Sequence, residues 1–367
     1  MPPEIKPVKF PEDESAHECV VEWWYFNGHL KDAAGREYSF MDCLFKVDLK
    51  RVKAPFWSWL PLKLLYFSHS QVADIGRRSF QHHITPFSLI SDDSFTKPSL
   101  FANYVNPELG SGYVNCVIEK TGEATYHIKS EDLDLNFVST KPPLLEGGAG
   151  YVDLGPRSSY YYSLTNLQTK GQIRAGGAWI DVAGKSWMDH QWADANYAKV
   201  HWDWFSIQLE GDTEMICCAY SETEMRLNYA DVSYPDGTQE HFENVEIIPG
   251  ERKWKSPKSQ ATYPLSWRVK VPSKGIDLEL ETRLENQEML FGAVNYWEGP
   301  LLVKGSFGGR PAQGLGFMEL VGYSSKYGTV DYVGDEIGRT GRRVYSMAKG
   351  KAKSMANDLK KSLKGSK

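Results

Sequence analysis

Apolar and polar positions alternate in short runs along nearly the whole chain. Val20–Leu30 is aromatic and β-branched, Lys31-Asp-Ala-Ala-Gly-Arg36 reads as a turn, and Glu37–Val47 returns to the strand pattern. Phe205–Leu209, the turn Glu210-Gly-Asp212 and Glu214–Tyr220 repeat the rhythm, and Pro235-Asp-Gly237 reads as a hairpin turn with Gly supplying the positive φ. No amphipathic helix is apparent before residue 338. The body is expected to be all-β.

An internal echo refines that reading. Trp23-Trp-Tyr-Phe-Asn-Gly-His-Leu30 and Trp202-Asp-Trp-Phe-Ser-Ile-Gln-Leu209 share the pattern Trp-x-[Tyr/Trp]-Phe-x-x-[His/Gln]-Leu, and a Gly-containing turn and another strand follow each copy. In a chain of 367 residues, long enough for two domains, the echo implies two related antiparallel β-barrels joined near Ala193–Val200. The expected organisation is a barrel over residues 1–196, a second over 197–335 and a helical tail over 336–367.

Two segments break the pattern. Ala54–Phe67 is apolar, but Pro55 and Pro61 bar a central strand; a lid, inter-strand packing and a membrane-dipping loop all fit. From Arg339 onward, Val344, Met347, Ala348, Ala352, Met355, Ala356, Leu359 and Leu363 follow the helical period, with Lys and Arg mostly opposite. A frayed solvated helix or disordered tail, peripheral docking of residues 339–367 on an anionic membrane surface, and contact with nucleic acid are the readings open for this tail.

Charge separates tail from body. The tail holds ten Lys and Arg against Asp358 alone, leaving 32 basic and 46 acidic residues elsewhere. An acidic body makes nucleic acid an unexpected partner. The five cysteines lack zinc-site spacing and read as buried free thiols. With no apolar leader after Met1 and no stretch long enough to span a bilayer, a cytoplasmic location is expected.

The densest chemistry lies in Gly184-Lys-Ser-Trp-Met-Asp-His-Gln-Trp192. On a strand, Trp187, Asp189 and Gln191 share one face and Met188, His190 and Trp192 the other. A carboxyl buried against indole keeps its proton nearer neutral pH, and aromatic faces tolerate positive charge. Asp189 is therefore the candidate acid, with His190 or Tyr160 to position water or relay a proton. The competing reading has Asp189 capping a turn or pairing with a buried Arg. Glu22 reads as polar pocket lining or a structural ion pair, and His69 as barrel lining or a core histidine. Glu298 and Glu319 read as structural. His82-His83 lacks a third ligand, so no metal is expected. Gly147-Gly-Ala-Gly150 reads as a loop, and no Gly-x-Ser-x-Gly elbow is present.

These motifs carry a family resemblance. Val21-Glu-Trp-Trp-Tyr-Phe-Asn-Gly-His-Leu30, His69-Ser-Gln-Val-Ala-Asp74, Tyr162-Ser-Leu-Thr-Asn-Leu, Trp187-Met-Asp-His-Gln-Trp192, Tyr263-Pro-Leu-x-Trp267, Tyr296-Trp-Glu-Gly299 and Met318-Glu-Leu-Val-Gly-Tyr323 occur in order. The chain resembles the AttH-like and hydroxyneurosporene synthase (carotenoid 1,2-hydratase) group. That resemblance implies two consecutive lipocalin-like barrels. It also implies a hydro-lyase-like activity, water addition to an isoprenoid C=C bond by acid catalysis without a cofactor, or a related isomerisation or cyclisation. A non-catalytic carrier of lipid or isoprenoid is the alternative. The substrate pocket would take Glu22, Trp24, Tyr25, His69, Tyr162, Trp187 and Trp192. Tyr160-Tyr-Tyr162 departs from the hydratase pattern, which has His-x-Trp there, and places the chain nearer the AttH-like branch.

Overall fold

The computed structural model describes residues 5–52, 62–108, 112–195, 197, 200–222, 225–292, 294–336 and 338. Two curled antiparallel sheets account for most of them. In the first, Val21–Asp32 lies between Glu37–Asp48 and Ala178–Ala193, and the sheet continues through Leu64–Asp74 on one side and Ser159–Ala175 on the other. In the second, His201–Leu209 lies between Thr213–Glu222 and Arg310–Val321, flanked in turn by Met225–Ser233 and Asn295–Phe307. The two copies of the echo are thus the first strands of the two sheets, each inserted between its sheet's second and final long strand.

Strand alternation divides the side chains into three apolar clusters. Trp24, Phe26, Leu30, Phe40, Met188 and Trp192 fill the concave interior of the first sheet. Phe205, Ile207, Trp267, Trp297 and Met318 fill that of the second. The opposite faces, carrying Tyr25, Met41, Trp187, Trp204, Ile216 and Phe317, meet in a third cluster between the halves. Polar bonds join this seam. His29 Nε2 donates to the Gly316 carbonyl at 2.9 Å, and Gln208 donates to the Ser186 carbonyl at 3.0 Å. The echo equates His29 with Gln208, and strand register equates Gly316 with Ser186. The halves therefore meet with approximate twofold symmetry.

The hairpin at Pro235-Asp-Gly237 is present, with Gly237 at φ 85. All five cysteines are free and buried. The C-terminal helix begins earlier than the sequence period implies: residues 329–336 are helical, and Tyr332 packs edge-on to Phe291 at 5.5 Å. Of the apolar segment Ala54–Phe67, residues 54–61 lie outside the described residues, while Leu64 opens a strand. The basic tail from Arg339 also lies outside them. No helix among the described residues is long and apolar enough to cross a membrane.

Candidate active site in the seam between the halves

A cavity of about 290 Å³ lies in the seam, lined from both sheets. The concave interiors of the sheets are packed with their own side chains, and the pocket lies between the two halves. Register explains its chemistry. One row across the first sheet runs His69, Cys43, Tyr25, Asp189, Ser163. The equivalent row across the second runs Tyr229, Cys218, Trp204, Glu319, Glu298. All but Ser163 line the cavity. Asp189 and Glu319 occupy matching places on the final strands, and the matching aromatics Tyr25 and Trp204 meet edge to face at 5.6 Å.

Asp189 is held by three donors. Oδ1 accepts from Ser163 Oγ at 2.5 Å and Trp187 Nε1 at 2.6 Å, and Oδ2 accepts from the Tyr161 hydroxyl at 2.7 Å. Trp204 of the other half donates to the same Tyr161 oxygen at 3.0 Å. Burial raises the Asp189 carboxyl to about 6 despite these bonds, which pull the other way. Glu319 accepts from Trp202 Nε1 at 2.6 Å; burial outweighs that bond and, with the nearby Asp189, lifts it to about 7. Glu298 accepts from the Tyr25 hydroxyl, and its other oxygen has no partner. Burial and the charge of Glu319 push it well above the usual range. His69 Nδ1 bonds the Tyr296 hydroxyl at 2.6 Å, and burial lowers its pKa to about 3, so the ring is neutral.

The remaining sequence-predicted residues divide between two faces. Asp189, Tyr25, His69 and Trp187 are brought together at the seam. His190, Tyr160, Tyr162, Trp24 and Trp192 are on the opposite face, inside the first barrel. Register pairs Tyr160 with Trp192 and Ser163 with Asp189, so Tyr161, not Tyr160, reaches the acid. Adjacent strand residues point opposite ways, and His190 and Tyr160 do not share a chamber with Asp189.

On that inner face Glu22 is fully buried, bonded to His17 Nδ1 at 2.7 Å, Lys46 Nζ at 2.7 Å and His190 Nε2 at 3.0 Å. Burial would raise its pKa, but the bonds from His17 and His190 prevail and hold it well below the carboxylate range. His17 stacks on Trp192 at 3.9 Å. Ligand atoms of His17, Glu22 and His190 lie within 4.8 Å of one another. With the Lys46 ammonium already on Glu22, this group makes a charged structural clamp rather than an open cation site.

Glu298 and Glu319, expected from the sequence to be structural, line the seam cavity. Their signal was present in the Tyr-Trp-Glu-Gly and Met-Glu-Leu motifs, which set Glu298 next to Trp297 and Glu319 between Met318 and Leu320 on strands.

Residues 2–323 match the family model described as AttH-like. The chain belongs to the AttH-like family. Among solved structures, the AttH-like fold is shared with a protein designated AttH from Nitrosomonas europaea, with TM-score 0.70, 26% identity, and coverage of 87% of this chain and 98% of that one. Kievitone hydratase from Nectria haematococca aligns with TM-score 0.68 at 18% identity, covering 87% and 93% of the two chains, a likeness of fold. In sequence, the chain is 27% identical over 203 residues to the dehydratase asqC of Emericella nidulans and 25% identical over 200 residues to the kievitone hydratase of Fusarium solani subsp. phaseoli. Each match spans 51% of this chain and little more than half of the relative, 57% and 56% respectively.

Proposed function

We propose that this AttH-like protein binds an apolar small molecule of isoprenoid or lipid type in the seam cavity. There it adds water to, or removes water from, a carbon–carbon bond by acid–base catalysis from its own side chains. The observation that carries this reading is a pair of carboxyls, Asp189 and Glu319, raised to about 6 and about 7 within one aromatic cavity. Groups whose pKa values sit near the working pH exchange protons most effectively. Relatives named as a dehydratase and a hydratase point the same way.

In hydration, the Asp189 carboxyl gives its proton to the less substituted alkene carbon, and the more substituted carbon becomes cationic. The faces of Tyr25, Trp202 and Trp204 stabilise that cation by up to ~2 kcal/mol each when dry. Water attacks the cation, and Glu319 takes the proton it releases; the reactive form is the singly protonated pair whose proton resides on Asp189. The alcohol forms with Asp189 ionised and Glu319 protonated; dehydration runs the same steps backward. Glu298, neutral and with an unpartnered oxygen, holds the polar end of the ligand by hydrogen bonding. His190 and Tyr160 support the sheet from behind.

The test uses acyclic isoprenoid alkenes and lipids recovered with the purified protein, incubated in H2(18)O and analysed by mass spectrometry. Wild type is expected to incorporate label. Asp189→Asn is expected to retain ligand but lose turnover by roughly 10²–10⁴. Retained ligand with no label from either protein would instead identify a carrier.

A further inference from the structure

Hydration leaves Asp189 without its proton while the released proton sits on Glu319, so each cycle needs a return route to Asp189. Behind Asp189, away from the cavity, a line of polar groups leads outward. Ser163 Oγ lies 2.5 Å from Asp189 Oδ1 and 2.8 Å from Glu146 Oε1. Glu146 is fully buried, and its second oxygen receives no bond from any N–H or O–H donor. The Asp231 carboxyl of the second half stands close enough that its charge adds to burial in raising the Glu146 carboxyl well above the usual range. Asp231 is buried, accepts from the Gly147 amide at 3.0 Å and meets His241 Nδ1 at 2.8 Å. The His241 side chain is 25% exposed.

The local backbone is built for this contact. Gly147 has φ 66, and a Cβ there would press on the Val152 backbone at 3.3 Å. That tight turn places Glu146 inward and its neighbour's amide on Asp231. The Gly-rich loop, silent in the sequence, thus acquires a purpose.

We propose that His241, Asp231, Glu146 and Ser163 form a proton relay that reloads Asp189 from solvent across the seam. This rests on Asp189 being the acid. His241 passes its Nδ1 proton to Asp231 and takes one from water at Nε2. Asp231 passes a proton to the Glu146 carboxyl, and Glu146 releases one from Oε1 to Ser163 Oγ. Ser163 gives its own hydroxyl proton to Asp189 Oδ1. Each intermediate group gains one proton and loses one, and no oxidant or further reactant enters. The other titratable groups around the path are Tyr161, Tyr229, Cys217, Cys218 and Glu243.

The relay is tested in the full-length protein by time-resolved infrared spectroscopy after a downward pH jump. The Asp189 carboxyl band is the one missing from Asp189→Asn. His241→Ala, a change at a partly exposed side chain, is expected to slow the rise of that band at least about tenfold without changing its final size. Added imidazole should restore the rate. Ser163→Ala should slow it equally and resist imidazole. Unchanged kinetics in both variants would overturn the relay. Full turnover in Asp189→Asn would refute the catalytic assignment alone, because the infrared kinetics do not depend on it.

Discussion

Glu298 and Glu319 stand directly opposite one another on neighbouring antiparallel strands. Like charges at such a position repel, and in an aromatic cavity of low polarity the pair keeps a proton rather than ionising fully. With Asp189 approaching from the other sheet, the seam concentrates acid groups that water would normally have ionised.

Stability should therefore fall as pH rises through neutrality. Asp189 is raised from 3.8 to about 6 and Glu319 from 4.5 to about 7. Both hold protons in the native state that the unfolded chain has released. Their contribution is whole below about pH 4 and is lost as pH climbs through about 7, on the order of 3 kcal/mol for Asp189. On the acid side, Glu22 has a lowered pKa, and its contribution disappears as pH falls below about 4.5. Urea unfolding should show a higher midpoint at about pH 5 than at about pH 8, and Asp189→Asn with Glu319→Gln should flatten that difference.

Tyr161→Phe removes one of the three donors that restrain the Asp189 carboxyl. Its titration midpoint, followed by infrared, should move upward from about 6, by roughly one pH unit. A midpoint that stays in place would show that Tyr161 does not set this acidity.

His190→Asn probes the other side of the sheet. The loss of the bond to buried Glu22 should cost roughly 1–3 kcal/mol in unfolding free energy. The Asp189 titration should be unmoved, because the sheet separates the two groups. A shifted midpoint would couple two faces of the sheet that the register keeps apart.

Lys141 bridges the halves, with Nζ 2.5 Å from buried Glu214. Lys141→Met strands that carboxylate and should destabilise the protein by roughly 3–5 kcal/mol, with Glu214→Gln in the same chain recovering part of the loss. Thermal unfolding of the single and double variants measures both effects.

Much of this was legible in the sequence. The Trp-x-[Tyr/Trp]-Phe echo located the first strand of each half, and simple alternation put Trp187, Asp189 and Gln191 on one face. What alternation cannot say is which face is hollow, because both faces of these strands are apolar. Register was equally hidden. Choosing Tyr160 over Tyr161 reverses a side chain, and nothing local to the Tyr160–Tyr162 run fixes its pairing with Ala178–Ala193. Glu298 and Glu319 meet Asp189 only through contacts more than a hundred residues apart in the chain. Glu146 lies beside a glycine turn whose partner, Asp231, belongs to the other half.

A binding site on a seam can change without disturbing what holds each half together. The interior of either sheet is packed by its own side chains, while the space between them is walled by residues of both. Substitutions confined to the seam rows can therefore remodel the binding space while the packed interiors are left alone.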